Sequence, residues 1–250
     1  MPDSVNPIIG QRLAMLFDAV FIINLKTRSD RRSEIQAQLG LIGLDLERAP
    51  LRLFEAVRPE SSGEWPSIGA CGCFMSHLGI LRTAKAEDLG RILILEDDVD
   101  WSPSFLGHAD RCLAALEDTA WDFVHGGLDE HQDTASPACL PLEPTNGLRL
   151  THFIALSCKA SRCAEAYLSA MAERKGGDSE GGPMHVDGAY SWFRKDNPDI
   201  QSFMFTPAIA RQRASRTDIH ELSWLDRAPV ISSLVAQTRR MRNRLRAFKG

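Results

Sequence analysis

The feature that most constrains this chain is the run Arg91-Ile-Leu-Ile-Leu-Glu96-Asp97-Asp98-Val99, an aliphatic stretch that stops in three consecutive carboxylates. A buried strand accepts Ile and Leu on both faces but not three charges, so the acidic triplet must sit at the strand's carboxyl end, against solvent, a cation or both. In open α/β sheets ligands bind beyond the carboxyl ends of the strands. Adjacent carboxylates are also what a hard divalent ion such as magnesium or manganese requires. The bland alternative is a solvated acidic turn, and the triplet alone does not choose between them.

The rest of the sequence sets the frame. A chain of 250 residues fits one large domain with a substantial core. Its 44% hydrophobic and 25% charged content is that of a globular protein rather than a disordered or membrane-spanning one. No apolar stretch reaches the roughly 18 residues of a spanning helix. Met1-Pro2-Asp3-Ser4 lacks the basic start of a signal peptide, so the expected location is cytoplasmic. Six scattered cysteines (71, 73, 112, 139, 158 and 163) lack the paired spacing of a zinc site and read as reduced core thiols.

Strand and helix patterns alternate along the chain. Val20–Leu25 reads as a strand, followed by a helix capped near Ser29 and Asp30 and running to about Leu39. A second strand is expected over Leu51–Val57, a loop over Pro59–Pro66, and a helix from about Cys71 to Glu87 that leads into the acidic strand. Ser102-Pro103 opens another helix, and Trp121–His125 forms a strand. The polar, proline-bearing stretch Leu128–Gly147 reads as a long loop. Thr151–Ser157 is a strand, and Ala160, Cys163, Ala164, Tyr167, Leu168 and Met171 recur at helical spacing within a helix over about 161–173. The division is an N-terminal extension (1–17), one α/β domain (18–228) and a basic C-terminal segment (229–250).

Two further constellations carry chemistry. Asn24-Leu-Lys-Thr-Arg28-Ser-Asp-Arg31-Arg32 places cations after the first strand, where a helix N-terminus favours a phosphate or diphosphate. Arginines there are also commonly paired with a neighbour such as Asp30, and Asn24 also suits a strand-end turn. Ile68-Gly-Ala-Cys-Gly72-Cys73-Phe-Met-Ser-His77 joins glycines that permit close approach to a histidine, which is either a site residue or a hydrogen-bonded core side chain.

Taken in order and spacing, NLKTRSDRR, GACGCFMSH and ILILEDDV resemble glycosyltransferase family 25, which includes bacterial lipooligosaccharide galactosyltransferases and collagen galactosyltransferases. The resemblance continues through Trp121-Asp122, Thr151–Met171, His185-Val186-Asp187, Pro207 and Gln212–Ile219, covering roughly residues 18 to 220. It implies a single-domain α/β fold of GT-A type, with a mostly parallel nucleotide-binding sheet flanked by helices. It implies inverting transfer of a hexose, galactose most commonly in the family, from a UDP-sugar to a hydroxyl of a cell-surface saccharide such as lipooligosaccharide. Asp98 with Glu96 would then hold a manganese or magnesium ion, and Glu96 or Asp97 the ribose or a metal-bound water. Asn24, Arg28 and Arg31 would line the nucleotide end, and His77 the diphosphate or sugar. Asp187 is the candidate general base, with a helix N-cap as its alternative role. The sequence departs from the family at Arg58-Pro59, where Asp-Gly is usual, and Asp129–Pro144 has no counterpart.

The basic segment carries Arg239, Arg240, Arg242, Arg244, Arg246 and Lys249, and removing these six charges from the net of −4 leaves −10 on the rest. A body this acidic argues against broad nucleic-acid binding. Val230, Ile231, Leu234, Val235, Thr238, Met241, Leu245 and Phe248 recur at helical spacing, as in a basic amphipathic helix suited to an anionic membrane surface, or one packed on the domain. Two other functions stay open. One is a catalytically silent nucleotide-sugar or carbohydrate-binding protein of the same fold, and the other is a metal-dependent nucleotide-sugar hydrolase.

Overall fold

The computed structural model describes residues 6–101, 103–128 and 138–213. Its centre is a seven-stranded sheet in the order β2-β1-β3-β7-β5-β8-β6. The strands are β1 (Ala19–Asn24), β2 (Leu51–Glu55), β3 (Arg91–Glu96), β5 (Phe123–His125), β6 (Ala138–Pro141), β7 (Phe153–Ser157) and β8 (Ser202–Thr206). Five run in one direction, while β7 and β6 run against them, so the sheet is mostly parallel in strand direction. A separate ribbon pairs β4 (Val99–Asp100) with β9 (Arg211–Gln212).

Helices cover both faces, which is why the central strands are apolar without interruption. On β1, Val20 and Ile22 enter one core, while Ala19, Phe21 and Ile23 enter the other; on β3, Leu93 and Leu95 are opposed in the same way to Ile92 and Ile94. The first core is closed by α1 (Pro7–Leu16), α2 (Ser29–Leu41) and α4 (Pro103–Glu117), and the second by α3 (Ile68–Ala86), α5 (Cys158–Glu173) and α6 (Val186–Asp196). The segment read as an N-terminal extension therefore contains a packed helix, with Ile9 and Leu13 buried.

The connections fix where a ligand can go. From β1 the chain crosses through α2 to β2 on one side, then returns through α3 to β3 on the other. The winding direction thus reverses between β1 and β3, and the crevice beyond their carboxyl ends is the switch point of the sheet. The acidic triplet leaves β3 at this place.

Several expectations change. The loop expected over 128–147 contains β6, an edge strand whose register with β8 (Leu140 opposite Met204) depends on a partner 64 residues away in sequence rather than on local pattern. The strand β8 and the ribbon β4-β9 are likewise set by distant partners. Not all the cysteines are core thiols: all six are free, but Cys163 is exposed. Residues 129–137, the motif residues 214–219 and the basic segment 229–250 lie outside the described residues.

Candidate active site

A cleft of about 520 Å³ opens at the switch point, and all three sequence constellations meet in it: Arg28 and Arg31 from the start of α2, Gly72 and Cys73 from α3, and Glu96 and Asp97 from the end of β3. Its size suits a nucleotide-scale ligand. The remaining wall is the segment after β2, including the exposed Arg58, so the departure from the family pattern faces the cleft directly.

Two local devices hold this wall. Ser67 caps α3, its hydroxyl accepting from the Ala70 N–H, which sets where the helix begins. At Gly72 an added Cβ would lie 2.6 Å from the Val57 carbonyl oxygen, so only glycine lets the post-β2 segment run this close to the helix. Ser76 completes the staple, donating to the Gly72 carbonyl at 2.6 Å and accepting the Val57 N–H at 2.9 Å.

The carboxylates have unequal surroundings. Asp97 accepts from Asn24 Nδ2 at 2.7 Å and from Arg31 at 2.8 Å, and this joins the ends of β1 and β3 to α2. Burial raises its pKa, against the pull of Arg31. The Asn24 amide also donates to the Arg28 carbonyl, so this side chain holds the cleft together rather than lining it. Glu96 accepts from the Thr151 hydroxyl at 2.5 Å and lies 3.8 Å from His77 Nε2. Burial works against its charge, but His77 and Thr151 outweigh it and hold its pKa low.

Asp98 is the least satisfied of the three. One oxygen accepts from Gln212 Nε2 at 3.1 Å, while the other is buried with no hydrogen-bond partner among the described residues. Burial, then the nearby Glu96 charge, push its pKa up to about 7. A buried carboxylate oxygen left without a donor beside a second carboxylate is what a divalent cation would satisfy, so the residues fit a hard metal ion. Asp98 with Glu96 would hold it, and the bound ion would supply a positive charge against a diphosphate.

The other sequence candidates stand around this centre. Arg28 is paired with Asp30 through two hydrogen bonds of 2.9 and 2.8 Å, the pairing weighed from sequence, and that contact lowers the Asp30 pKa to about 2. His77 is fully buried behind the cleft, with Nδ1 3.3 Å from the Tyr190 hydroxyl. Asp187 lies in the first turn of α6, half-buried. The N-cap is His185, so Asp187 is not the cap residue. It accepts from the Gly188 N–H at 2.8 Å and the Leu150 N–H at 3.3 Å, and it lies near enough to Cys73 for its charge to raise that thiol's pKa.

Gln212 and Arg213, which open the motif Gln212–Ile219, reach the acidic turn only through the fold. The Arg213 N–H donates to the Asp98 carbonyl at 2.7 Å and its guanidinium to the Asp97 carbonyl at 3.1 Å, so this segment clasps the acidic turn from behind. No local signal marks the clasp, because it depends on pairing between β4 and β9.

Residues 17–137 match the profile described as glycosyltransferase family 25 (LPS biosynthesis protein). This stretch contains β1 to β3 and the whole acidic turn. The comparison thus assigns this stretch, rather than the chain end to end, to glycosyltransferase family 25. Over 145 residues it is 30% identical to a glycosyltransferase 25 family member of Drosophila melanogaster, covering 51% of this chain and 24% of that protein. It is 31% identical over 129 residues to the human inactive glycosyltransferase 25 family member 3, covering 44% and 22%. With procollagen galactosyltransferase 1-B of Xenopus laevis it shares 27% over 153 residues, covering 54% and 24%. The chain thus spans about a quarter of the length of these relatives. A solved glycosyltransferase involved in glycosylating the major capsid of PBCV-1 overlaps 76% of this chain and 93% of its own, at 12% identity and a TM-score of 0.36, and adds nothing to the strand order described above.

Proposed function

We propose that this protein is an inverting, metal-dependent hexosyltransferase that moves a sugar, galactose by family analogy, from a UDP-sugar to a hydroxyl of a cell-surface saccharide such as lipooligosaccharide. The observation that carries the reading is the meeting of basic α2, glycine-bearing α3 and the acidic end of β3 in one nucleotide-sized cleft. Arg28, Arg31 and Arg58 supply cations for a diphosphate, and the start of α2 adds backbone N–H groups.

In this reading the acceptor hydroxyl attacks the anomeric carbon from the face opposite UDP. The bond from that carbon to the diphosphate oxygen breaks, the electron pair leaves with UDP, and the hydroxyl proton passes to a carboxylate. Asp187 is the assigned base: it is half-exposed, anchored by two backbone N–H groups, and lies near the cleft-lining Cys73. The arginines stabilise the charge that develops on the leaving diphosphate. His77, behind Glu96, positions that carboxylate.

Calorimetric titration of UDP with manganese, and again with excess chelator, tests the donor site. Metal-dependent binding followed by transfer to a lipid-linked or soluble saccharide is the expected result, and absence of UDP binding in both conditions removes the reading. Asp187→Asn should lower turnover by about 100-fold or more with UDP affinity near that of wild type; lost affinity would instead make Asp187 a donor-binding residue.

The similarity to a protein named inactive supports a second reading, a nucleotide-sugar binder without turnover. It predicts UDP binding with no transfer to any acceptor. For the basic segment 229–250 we propose attachment to an anionic membrane surface, which the loss of vesicle binding on deleting residues after Pro229 would test.

A further inference from the structure

Cys73 and His77 stand four residues apart on α3, which puts both side chains on one face of the helix. Glu96 reaches toward them from the end of β3. The Cys73 sulfur, a His77 ring nitrogen and a Glu96 carboxylate oxygen all lie within 4.8 Å of one another. His77 is fully buried, and its Nε2 has no hydrogen-bond partner among the described residues although it points toward Glu96 at 3.8 Å. Both side chains are already held in place: His77 Nδ1 meets the Tyr190 hydroxyl at 3.3 Å, and Glu96 Oε1, the oxygen that faces His77, accepts from Thr151 at 2.5 Å. Such outer partners fix ring orientation and carboxylate position in metal centres. The sulfur is surrounded by negative charge, since burial and then Glu96, Asp98 and Asp187 raise the thiol pKa well above its ordinary value.

We propose that Cys73, His77 and Glu96 form a binding site for a borderline-soft divalent cation, zinc by donor chemistry, in the floor of the cleft. One sulfur, one imidazole nitrogen and one carboxylate oxygen make a zinc set, whereas magnesium and manganese favour oxygen alone. Ligand atoms around tetrahedral zinc lie about 3.3–3.8 Å apart, so closing the present cluster takes side-chain adjustments of about 1 Å. Cys73 and Glu96 both line the cleft, which leaves the fourth position facing whatever binds there. Binding releases the thiol proton to solvent. The site is distinct from the Asp98 position but shares Glu96 with it, so zinc here competes with a hard ion there. It stands independently of the nucleotide-sugar reading.

The test is titration of the chelator-stripped full chain with cobalt, a spectroscopic stand-in for zinc. The expected result is one equivalent bound, with a near-ultraviolet thiolate-to-cobalt band that zinc displaces, Cys73→Ser and His77→Gln remove, and Asp98→Asn retains. No thiolate band, or one unchanged in Cys73→Ser, would overturn the proposal. A wild-type arm guards against variants that misfold. Zinc should slow maleimide labelling of Cys73, mapped by mass spectrometry, while leaving the exposed Cys163 unaffected; equal labelling of Cys73 with and without zinc also overturns it. Neither readout involves UDP, so failure here and failure of the transferase reading are seen separately.

Discussion

Two buried charges, one in each half of the sheet, are treated in opposite ways. In the β5-β8-β6 half, Arg194 on α6 is fully buried, yet it donates to Ser202 at 3.0 Å and to the carbonyls of Asn146, Leu142 and Glu143 at 2.7–2.9 Å, with its guanidinium over the Phe123 ring. Burial lowers its pKa to about 10, still charged at neutral pH. At the end of β3, Asp98 is buried almost as deeply with one oxygen lacking a hydrogen-bond partner among the described residues, and burial pushes its pKa up to about 7. The protein fully satisfies one charge and leaves the other short of a partner. A satisfied buried charge organises the fold around it, whereas an unsatisfied one is a candidate position for a ligand.

Substitution at each charge should separate these roles. The largest expected effect is at Asp98, where Asp98→Asn should cost about 100- to 1,000-fold in transfer and remove metal-dependent UDP binding, without lowering the melting temperature in chelator. A variant that keeps wild-type transfer would place the hard-metal site elsewhere. Arg194→Ala should do the reverse, losing about 3 kcal/mol in urea denaturation because three carbonyls and a hydroxyl lose their donor, while the folded fraction keeps its UDP affinity. If UDP affinity falls with stability intact, the contrast fails. Gly72→Ala is expected to come next, at about 1–3 kcal/mol of overpacking against the Val57 carbonyl, with weaker UDP binding because the post-β2 wall is displaced.

The smallest effect is a pH signature. The folded-state pKa of Asp98 is raised from 3.8 to about 7, so between those values the folded protein holds a proton that the unfolded chain has released. Metal-free stability should therefore carry an Asp98 contribution that is present below pH about 4 and lost as pH rises through about 7. The wild type should accordingly fall relative to Asp98→Asn across this window, by on the order of 1 kcal/mol or more. Parallel stability profiles in chelator would show that the Asp98 carboxylate is already satisfied.

The half of the molecule around β1 to β3 was legible from sequence because its signals are local. Uninterrupted aliphatic runs marked the doubly covered strands, and Arg91–Asp98 marked both a strand and its carboxyl end. The other half was less so. β6 spans four residues and ends in Pro141, and it is a strand only because β8 pairs with it. Within the site, the Arg28–Asp30 pairing was visible two residues apart, but the role of Asn24 required knowing that Asp97 lies across from it. Cysteine spacing considers thiols alone, so it gave no view of the mixed group that the fold assembles from Cys73 and His77 on α3 and Glu96 at the end of β3. The position of Arg194 gave no signal, since a charged residue between Phe193 and Lys195 reads as solvated until its carbonyl partners are known.

The clasp of Gln212 and Arg213 also has a meaning in time. Gln212 and Asp98 are 114 residues apart, so the two ends of their contact leave the ribosome far from one another in the order of synthesis. The β1-α2-β2-α3-β3 unit needs nothing from the later chain to pair its strands. Its carboxylate turn, however, stays without its clasp until nearly all of the described sequence has emerged. Long-range pairing of this kind is slow relative to local structure. The strands that carry the acidic turn are thus all synthesised before the segment that clasps it, and the turn depends for its last backbone contacts on the far end of the described sequence.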